Sequence, residues 1–140
     1  MKAVVIHESL TGTTKRAGEL IAARLASAGV EATACSTTAI DMQALSAADL
    51  VIVGSWTDGF VFLGQRPGRA GRLRKLPFMA GKECIVYCTY AVDPGATLEK
   101  LSAIVQARGG DVLGGMAIRR DRVDTDVADF VERMLGAVSA

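Results

Sequence analysis

The segment best suited to chemistry directly follows the first apolar run of the chain and reads Ser9-Leu10-Thr11-Gly12-Thr13-Thr14. Every residue in it except Leu10 carries a hydroxyl group or is glycine, so O–H groups and closely approachable backbone N–H groups can all point at one anion. An amphipathic helical pattern follows at once, and the N-terminus of a helix favours negative charge. The segment therefore predicts a phosphate-binding loop.

The spacing within this loop argues against two common nucleotide classes. It lacks the GxxxxGK[ST] pattern of nucleoside triphosphatases and the second glycine of the GxGxxG turn that binds dinucleotides. A hydroxyl-rich loop without a lysine suits a terminal phosphate monoester, which accepts many hydrogen bonds without a metal. We therefore expect neither ATP hydrolysis nor NAD binding.

Aromatic residues are concentrated in two other segments. The chain has only four Phe, two Tyr and one Trp, yet Trp56, Phe60 and Phe62 fall within residues 54–64 and Tyr90 falls within residues 89–95. Both segments follow predicted strands, and in open parallel sheets ligands bind beyond the carboxyl ends of the strands. The pattern predicts a planar ligand stacked between aromatic side chains beside the phosphate loop.

Five short apolar runs alternate with helical patterns along the chain. Near-continuous apolarity predicts strands buried on both faces of a parallel sheet; they are expected at residues 3–6, 29–35, 50–53, 83–88 and 111–118. Apolar residues spaced three and four apart predict helices at residues 17–28, 98–105 and 127–138, with shorter ones at 41–46 and within 68–76. Gly29 and Gly109 stand at helix C-termini, and Asp93-Pro94 is predicted to cap the fourth helix. The alternation predicts an α/β fold in a single domain of residues 1–140.

At this point the sequence resembles a known family. The segment from Ser9 to Thr14 matches the [ST]-x-[ST]-G-x-T phosphate loop of flavodoxins, and the order of elements is similar along the whole chain. The resemblance implies a short-chain, flavodoxin-like, doubly wound sheet of five parallel strands in the order 2-1-3-4-5, with helices on both faces. It also implies FMN as the cofactor.

The same resemblance implies a set of cofactor-binding residues. The 5′-phosphate would be held by Ser9, Thr11, Gly12, Thr13 and Thr14, with the backbone of Leu10. Trp56 would stack on the isoalloxazine ring, with Thr57, Asp58 and Gly59 at its reactive edge and Ser55 and Phe60 beside them. Thr89, Tyr90, Ala91 and Asp93 would complete the site. No catalytic residue and no metal ligand is implied.

The leading functional prediction is therefore an FMN-binding electron carrier between redox partners. One alternative is an FMN-dependent oxidoreductase acting on a quinone or another small molecule, similar to protoporphyrinogen oxidase, with residues 60–63 lining its substrate entrance. Another is a flavin-free protein-docking domain. His7 and Glu8 are interpreted as structural, with a proton donor near the ligand as the alternative for each.

Charge and composition limit the partners. The formal net charge is +1, which provides no overall field for binding nucleic acid or an anionic membrane. One local basic cluster is interpreted as a solvated face or a poorly ordered loop, with docking of an acidic partner or substrate as the alternative; it comprises Arg66, Arg69, Arg72, Arg74 and Lys75. The absence of a signal-peptide pattern or a long apolar run predicts a cytoplasmic protein.

The three cysteines have neither metal-site nor disulfide spacing and are interpreted as buried thiols.

Overall fold

The computed structural model describes residues 1–59 and 64–138. Within them the strands are β1 (Lys2–His7), β2 (Glu31–Ser36), β3 (Leu50–Asp58), β4 (Arg66–Pro67), β5 (Glu83–Tyr90) and β6 (Asp111–Arg119). The helices are α1 (Thr13–Ser27), α2 (Met42–Ala47), α3 (Ala70–Leu73), α4 (Thr97–Ala107) and α5 (Val123–Ala137). None of these helices is both long and apolar enough to cross a membrane.

The long strands form one parallel sheet in the order β2-β1-β3-β5-β6. This is the predicted order 2-1-3-4-5 once the short β4 is set aside. The first strand, β1, pairs with β2 on one side and β3 on the other, so the chain reverses its winding direction there. The carboxyl ends of β1 and β3 thus meet where ligands bind in sheets of this kind.

Two apolar layers enclose the sheet because successive side chains of each strand point to opposite faces. Val5 of β1 packs in the layer that contains the apolar faces of α1 and α5. Val4 and Ile6 pack in the other layer, which contains Leu45 of α2, residues of α3 and the apolar face of α4. The prediction of helices on both faces is confirmed.

Strand β3 is longer than its apolar run predicts. The run ends at Val53, but the strand continues to Asp58 because Trp56 stays in register with Thr89 of β5. Thr57 and Asp58 then pair with the antiparallel strand β4, a two-residue strand without a pattern of its own in the sequence. The first half of the aromatic-containing segment 54–64 is therefore a strand, which is stabilised by pairing with segments distant in the sequence.

The start of α4 corrects another prediction. Asp93 does not cap this helix, which begins at Thr97. Its carboxylate instead accepts a hydrogen bond from the Gly95 N–H at 3.0 Å. Gly95 has φ +53°, a left-handed conformation that interrupts helical geometry between Pro94 and Thr97. By contrast, Gly29 and Gly109 do terminate their helices, both with φ +88°.

Candidate functional site

One cleft lies at the carboxyl ends of β1, β3 and β5, where three predicted ligand-binding segments meet. The first segment contributes Leu10, Thr11, Thr13 and Thr14 to its lining. The others contribute Trp56 and Thr57, then Thr89, Tyr90 and Ala91. The fold thus brings the hydroxyl-rich loop and two of the predicted aromatic residues around one space.

The hydroxyl-rich loop is shaped by Gly12, which has φ +99° and directly precedes α1. A Cβ at this position would meet nothing within 4 Å, so the backbone conformation rather than space favours glycine here. The Gly12 N–H donates to the Ser9 hydroxyl at 3.1 Å, which closes the loop on itself. Thr13 and Thr14 follow as the first helical residues, where backbone N–H groups lack partners within the helix.

Two buried hydrogen bonds fix the base of this loop to β5. The hydroxyl oxygens of Thr14 and Thr89 are 2.7 Å apart. The Tyr87 hydroxyl donates to the Thr14 carbonyl at 2.9 Å, and the Tyr87 side chain is fully buried. Since each of these threonine hydroxyls has one proton and two lone pairs, one of the two can still donate to a ligand.

The segment that follows β4 packs against the Trp56 ring. Gly68 lies so close that a Cβ there would be 2.1 Å from Trp56 Cε2. The next residue, Arg69, has its guanidinium carbon 5.5 Å from the Trp56 ring centroid. Arg69 has φ +50°, an uncommon backbone conformation for a residue with a side chain. Trp56 is half-buried and also lines the cleft.

Arg69 also belongs to an ion cluster that surrounds one buried carboxylate next to the loop. The Glu8 side chain is only 2% exposed, and its carboxylate accepts from Arg69 at 3.0 Å and from Arg72 at 3.1 Å. The Thr37 hydroxyl donates to the same carboxylate at 2.6 Å. The residue directly before Ser9 is therefore anchored to α3 and, through Arg69, to the tryptophan.

Arg120 also lines the cleft and was not predicted. It follows β6, and its N–H donates to the Tyr90 carbonyl at 2.8 Å. The signal that could have identified it is its position just past the carboxyl end of the fifth long strand, on the edge where the other loops meet. Its exposed guanidinium adds positive charge to a cleft otherwise lined by hydroxyl, apolar and aromatic groups.

Several predicted residues do not line this cleft. Ser55 is fully buried, and its hydroxyl donates to the Gly68 carbonyl at 2.8 Å. Asp58 pairs with Arg66 at 3.4 Å, and Asp93 forms the turn before α4. The remaining ones are Ser9 and Gly12, which shape the loop, and Gly59, which is exposed with φ +100°. Phe60, Phe62 and the predicted entrance at residues 60–63 lie outside the described residues.

Ser9 instead borders a second hollow on the β2 side of the loop, together with His7 and Cys35. Burial lowers the pKa of His7, an effect that Lys15 reinforces and that Glu19 and Glu8 oppose. His7 is therefore mostly neutral at pH 7. It faces Gly18 of α1 rather than the cleft, in keeping with a structural role.

Buried groups behind the cleft are also uncharged. Burial raises the pKa of the Cys88 thiol to about 11, so it is protonated at neutral pH. The Thr57 hydroxyl lies beside this thiol and opposes the shift slightly; its oxygen is buried and makes no hydrogen bond of standard geometry within the described residues. All three cysteines are free, with Cys84 and Cys88 buried and Cys35 half-buried. Residues 1–59 and 64–138 contain no group of three or more His, Cys, Asp or Glu side chains placed to hold a metal ion.

Comparison with known proteins identifies the fold. No family model and no curated protein matches the sequence. Among solved structures, a cysteine-to-alanine mutant of flavodoxin from Pseudomonas aeruginosa matches with a TM-score of 0.76 at 16% identity, covering 100% of both chains. Flavodoxin 1 from Bacillus cereus matches with a TM-score of 0.71 at 19% identity, covering 99% of this chain and 100% of that one.

A short-chain flavodoxin associated with a non-canonical PDU bacterial microcompartment also matches, with a TM-score of 0.65 at 15% identity. The match covers 95% of this chain and 98% of that chain. The sheet order, the helices on both faces and these matches along the full length agree with the resemblance read from the sequence. The chain therefore has the flavodoxin fold.

Proposed function

We propose that this protein binds FMN and carries electrons between redox partners, with a cytoplasmic location. The observation that supports this most directly is the cleft that combines a hydroxyl-rich helix N-terminus with Trp56 and Tyr90. A phosphate monoester and a flat aromatic ring are the two parts of a ligand that such a lining complements.

The phosphate end of the proposed site rests on the loop before α1. Thr11 is exposed and Thr13 half-buried, and both line the cleft, so their hydroxyls can reach a ligand there. Together with the N–H groups of the first helical turn, they can donate to a dianionic phosphate without a metal. Arg120, at the rim of the same cleft, adds a positive charge that favours an anionic ligand.

The ring end of the proposed site rests on Trp56, Thr57 and Tyr90. Both aromatic side chains line the cleft, so a planar ring between them would lose contact with water on its faces. The buried Thr57 hydroxyl makes no hydrogen bond of standard geometry within the described residues, so it can donate to or accept from a polar edge of the ring. The residues present therefore fit FMN.

FMN, when bound, supplies reversible one- and two-electron chemistry, and the protein sets where and how readily this occurs. The chain's own contribution is to hold the phosphate at Thr11 and Thr13, to shield the ring with Trp56 and Tyr90, and to place the charge of Arg120 nearby. No proton-transfer residue is needed for electron transfer itself.

The test is titration of the purified, flavin-stripped protein with FMN and, separately, with riboflavin. We expect FMN to bind tightly, seen as quenching of flavin fluorescence, and riboflavin to bind far more weakly because it lacks the phosphate. The Thr11→Ala plus Thr13→Ala variant should lose about 2–3 kcal/mol of binding, or roughly 30- to 150-fold in Kd. A matched control is Thr33→Ala plus Thr125→Ala, which removes two exposed hydroxyls away from the cleft.

Three outcomes would contradict parts of the proposal. Failure of FMN to bind would instead support a flavin-free docking domain. Equal affinity for FMN and riboflavin, or unchanged FMN affinity in the Thr11→Ala plus Thr13→Ala variant, would refute the phosphate assignment. Rapid turnover of a quinone by the FMN-loaded protein would favour the enzyme over the carrier.

A further inference from the structure

A groove separates β4 and α3 from α4. Its cationic lining comprises Arg66, Arg74 and Lys100. Its floor is apolar and is formed by Pro67, Ala70, Ala103, Ile104 and Ala107. The fold thus adds a lysine from α4 to the basic cluster predicted from the sequence.

The structure divides that basic cluster into two groups with different surroundings. Arg69 and Arg72 turn inward to the buried Glu8 carboxylate, so their charges are largely compensated within the molecule. Arg74 has no carboxylate partner in the part of the chain that the structure describes. Of the charge left for an external partner, that of Arg74 lies on the groove, whereas the exposed Lys75 lies outside the groove lining.

The other two cations of the groove are held in place by neutral or exposed groups. The Lys100 ammonium donates to the Gln65 carbonyl at 2.7 Å, which orients it without neutralising it. Arg66 pairs with Asp58 at 3.4 Å, but both side chains are about half exposed and the pair is weak. Among residues 1–59 and 64–138, no carboxylate lines the groove.

The floor of the groove admits close approach by a helix. Lys100, Ala103, Ile104 and Ala107 are spaced three and four apart and share one face of α4. Ala103 and Ala107 are exposed, and their small side chains leave room for the larger apolar side chains of a partner. From Lys100 to Ala107 the face runs about 10 Å, or two helical turns.

We propose that this groove docks an acidic amphipathic helix of a redox partner, with its apolar side chains on the alanine floor and its carboxylates against Arg66, Arg74 and Lys100. The proposal rests on the proposed electron-transfer function for the nature of the partner. The groove adjoins the cleft, because Arg66 and Pro67 pair with Asp58 and Thr57, and Thr57 lines the cleft.

The lining favours a protein over a nucleic acid. Within the described ranges no aromatic side chain lines the groove, so this lining offers bases nothing to stack on. The apolar floor between the cations matches carboxylates flanking a row of leucines, whereas a phosphate backbone has no apolar groups at that spacing. The test must therefore distinguish binding of an acidic helix from binding of nucleic acid.

The test uses a fluorescein-labelled amphipathic peptide of two to three helical turns, with Leu at i, i+3, i+4 and i+7 and Glu at the flanking positions. Binding is measured by fluorescence anisotropy with the full chain, with and without added FMN. Comparison probes are a scrambled peptide of the same composition and a single-stranded oligonucleotide. We expect the amphipathic peptide to bind at least tenfold more tightly than either comparison probe.

Two kinds of variant test the location. Arg74→Glu plus Lys100→Glu should weaken peptide binding more than tenfold, whereas the charge-matched control Arg24→Glu plus Arg133→Glu, on α1 and α5, should leave it within twofold. Ala103→Trp fills the floor without changing the charge and should also weaken binding more than tenfold. Its control is Ala23→Trp at an exposed position of α1.

The proposal is overturned if the scrambled peptide or the oligonucleotide binds as tightly as the amphipathic peptide. It is also overturned if the Arg74→Glu plus Lys100→Glu variant, or Ala103→Trp with its circular dichroism unchanged, binds the peptide like the wild type. Because peptide binding is measured without FMN as well, failure here is distinct from failure to bind the flavin.

Discussion

The Arg69 guanidinium lies 5.5 Å from the centre of the Trp56 ring and at the same time 3.0 Å from the Glu8 carboxylate. Glu8 immediately precedes the hydroxyl-rich loop, and Trp56 lines the far side of the same cleft. One side chain therefore connects the two ends of the proposed FMN site. A cation over the face of a tryptophan is attracted by the ring, so Arg69 also fixes the plane that Trp56 presents.

Removal of Arg69 should therefore change the environment of Trp56. Because Trp56 is the single tryptophan of the chain, its emission spectrum reports on this contact directly. Arg69→Ala should shift or intensify that emission and weaken FMN binding by about two- to fivefold, the range that corresponds to an exposed cation–ring contact of about 0.5–1 kcal/mol. Arg69→Lys should restore part of both. Identical emission from Arg69→Ala and wild type, with Arg74→Ala as the control on the same segment, would refute this role.

Glu8→Gln should destabilise the fold. The substitution removes the charge that lies between Arg69 and Arg72, and the two guanidinium groups would then repel each other. Since both arginine side chains remain about 40% exposed and hydrated, we expect a loss of about 1–3 kcal/mol, less than for a fully buried pair. Urea unfolding measures it. Glu132→Gln, at an exposed position of α5, is the control, and an equally small loss in both variants would contradict the prediction.

Gly54→Ala should be among the most damaging substitutions in the sheet. A Cβ at Gly54 would lie 2.0 Å from Cζ of the buried Tyr87 ring, which cannot move without breaking its bond to Thr14. We expect a loss of about 3 kcal/mol in the free energy of unfolding. Gly114→Ala on β6 has no atom within 4 Å of the new methyl group and serves as the control. Similar stabilities of the two variants would show that the ring does not fill this space.

His7 should make the fold less stable in mild acid. Burial lowers its pKa in the folded protein below the ordinary value of 6.5, so the unfolded chain binds this proton more readily. Stability contributed by neutral His7 is therefore present above pH 6.5 and is lost as the pH falls below it. Urea unfolding between about pH 7.5 and 5 should show a shallower pH dependence for His7→Gln than for wild type. The same slope in both proteins would exclude His7 as the source.

The parallel sheet and the position of the hydroxyl-rich loop were predictable because their signals are local. Apolar runs identify strands buried on both faces, and the spacing from Ser9 to Thr14 at the end of one of them identifies the loop. The strand order was supplied by the family resemblance rather than by any local pattern.

The features that were missed depend on residues far apart in the chain. The strand conformation of Trp56 comes from its pairing with β5. The burial of Glu8, a residue type that is usually exposed, depends on arginines 61 and 64 positions away. Arg120 reaches the cleft only because β6 lies beside β5. None of these relationships has a local pattern in the sequence.

The two bonds that tie Thr14 to β5 also bear on the speed of ligand binding. Its carbonyl is held by Tyr87 and its hydroxyl by Thr89, so this end of the loop is already in place when a ligand arrives. A loop that is ordered during folding does not have to close during binding. Association with FMN should then be a single step whose observed rate rises in proportion to the FMN concentration without reaching a plateau, and differences in affinity should arise mainly from the rate of dissociation.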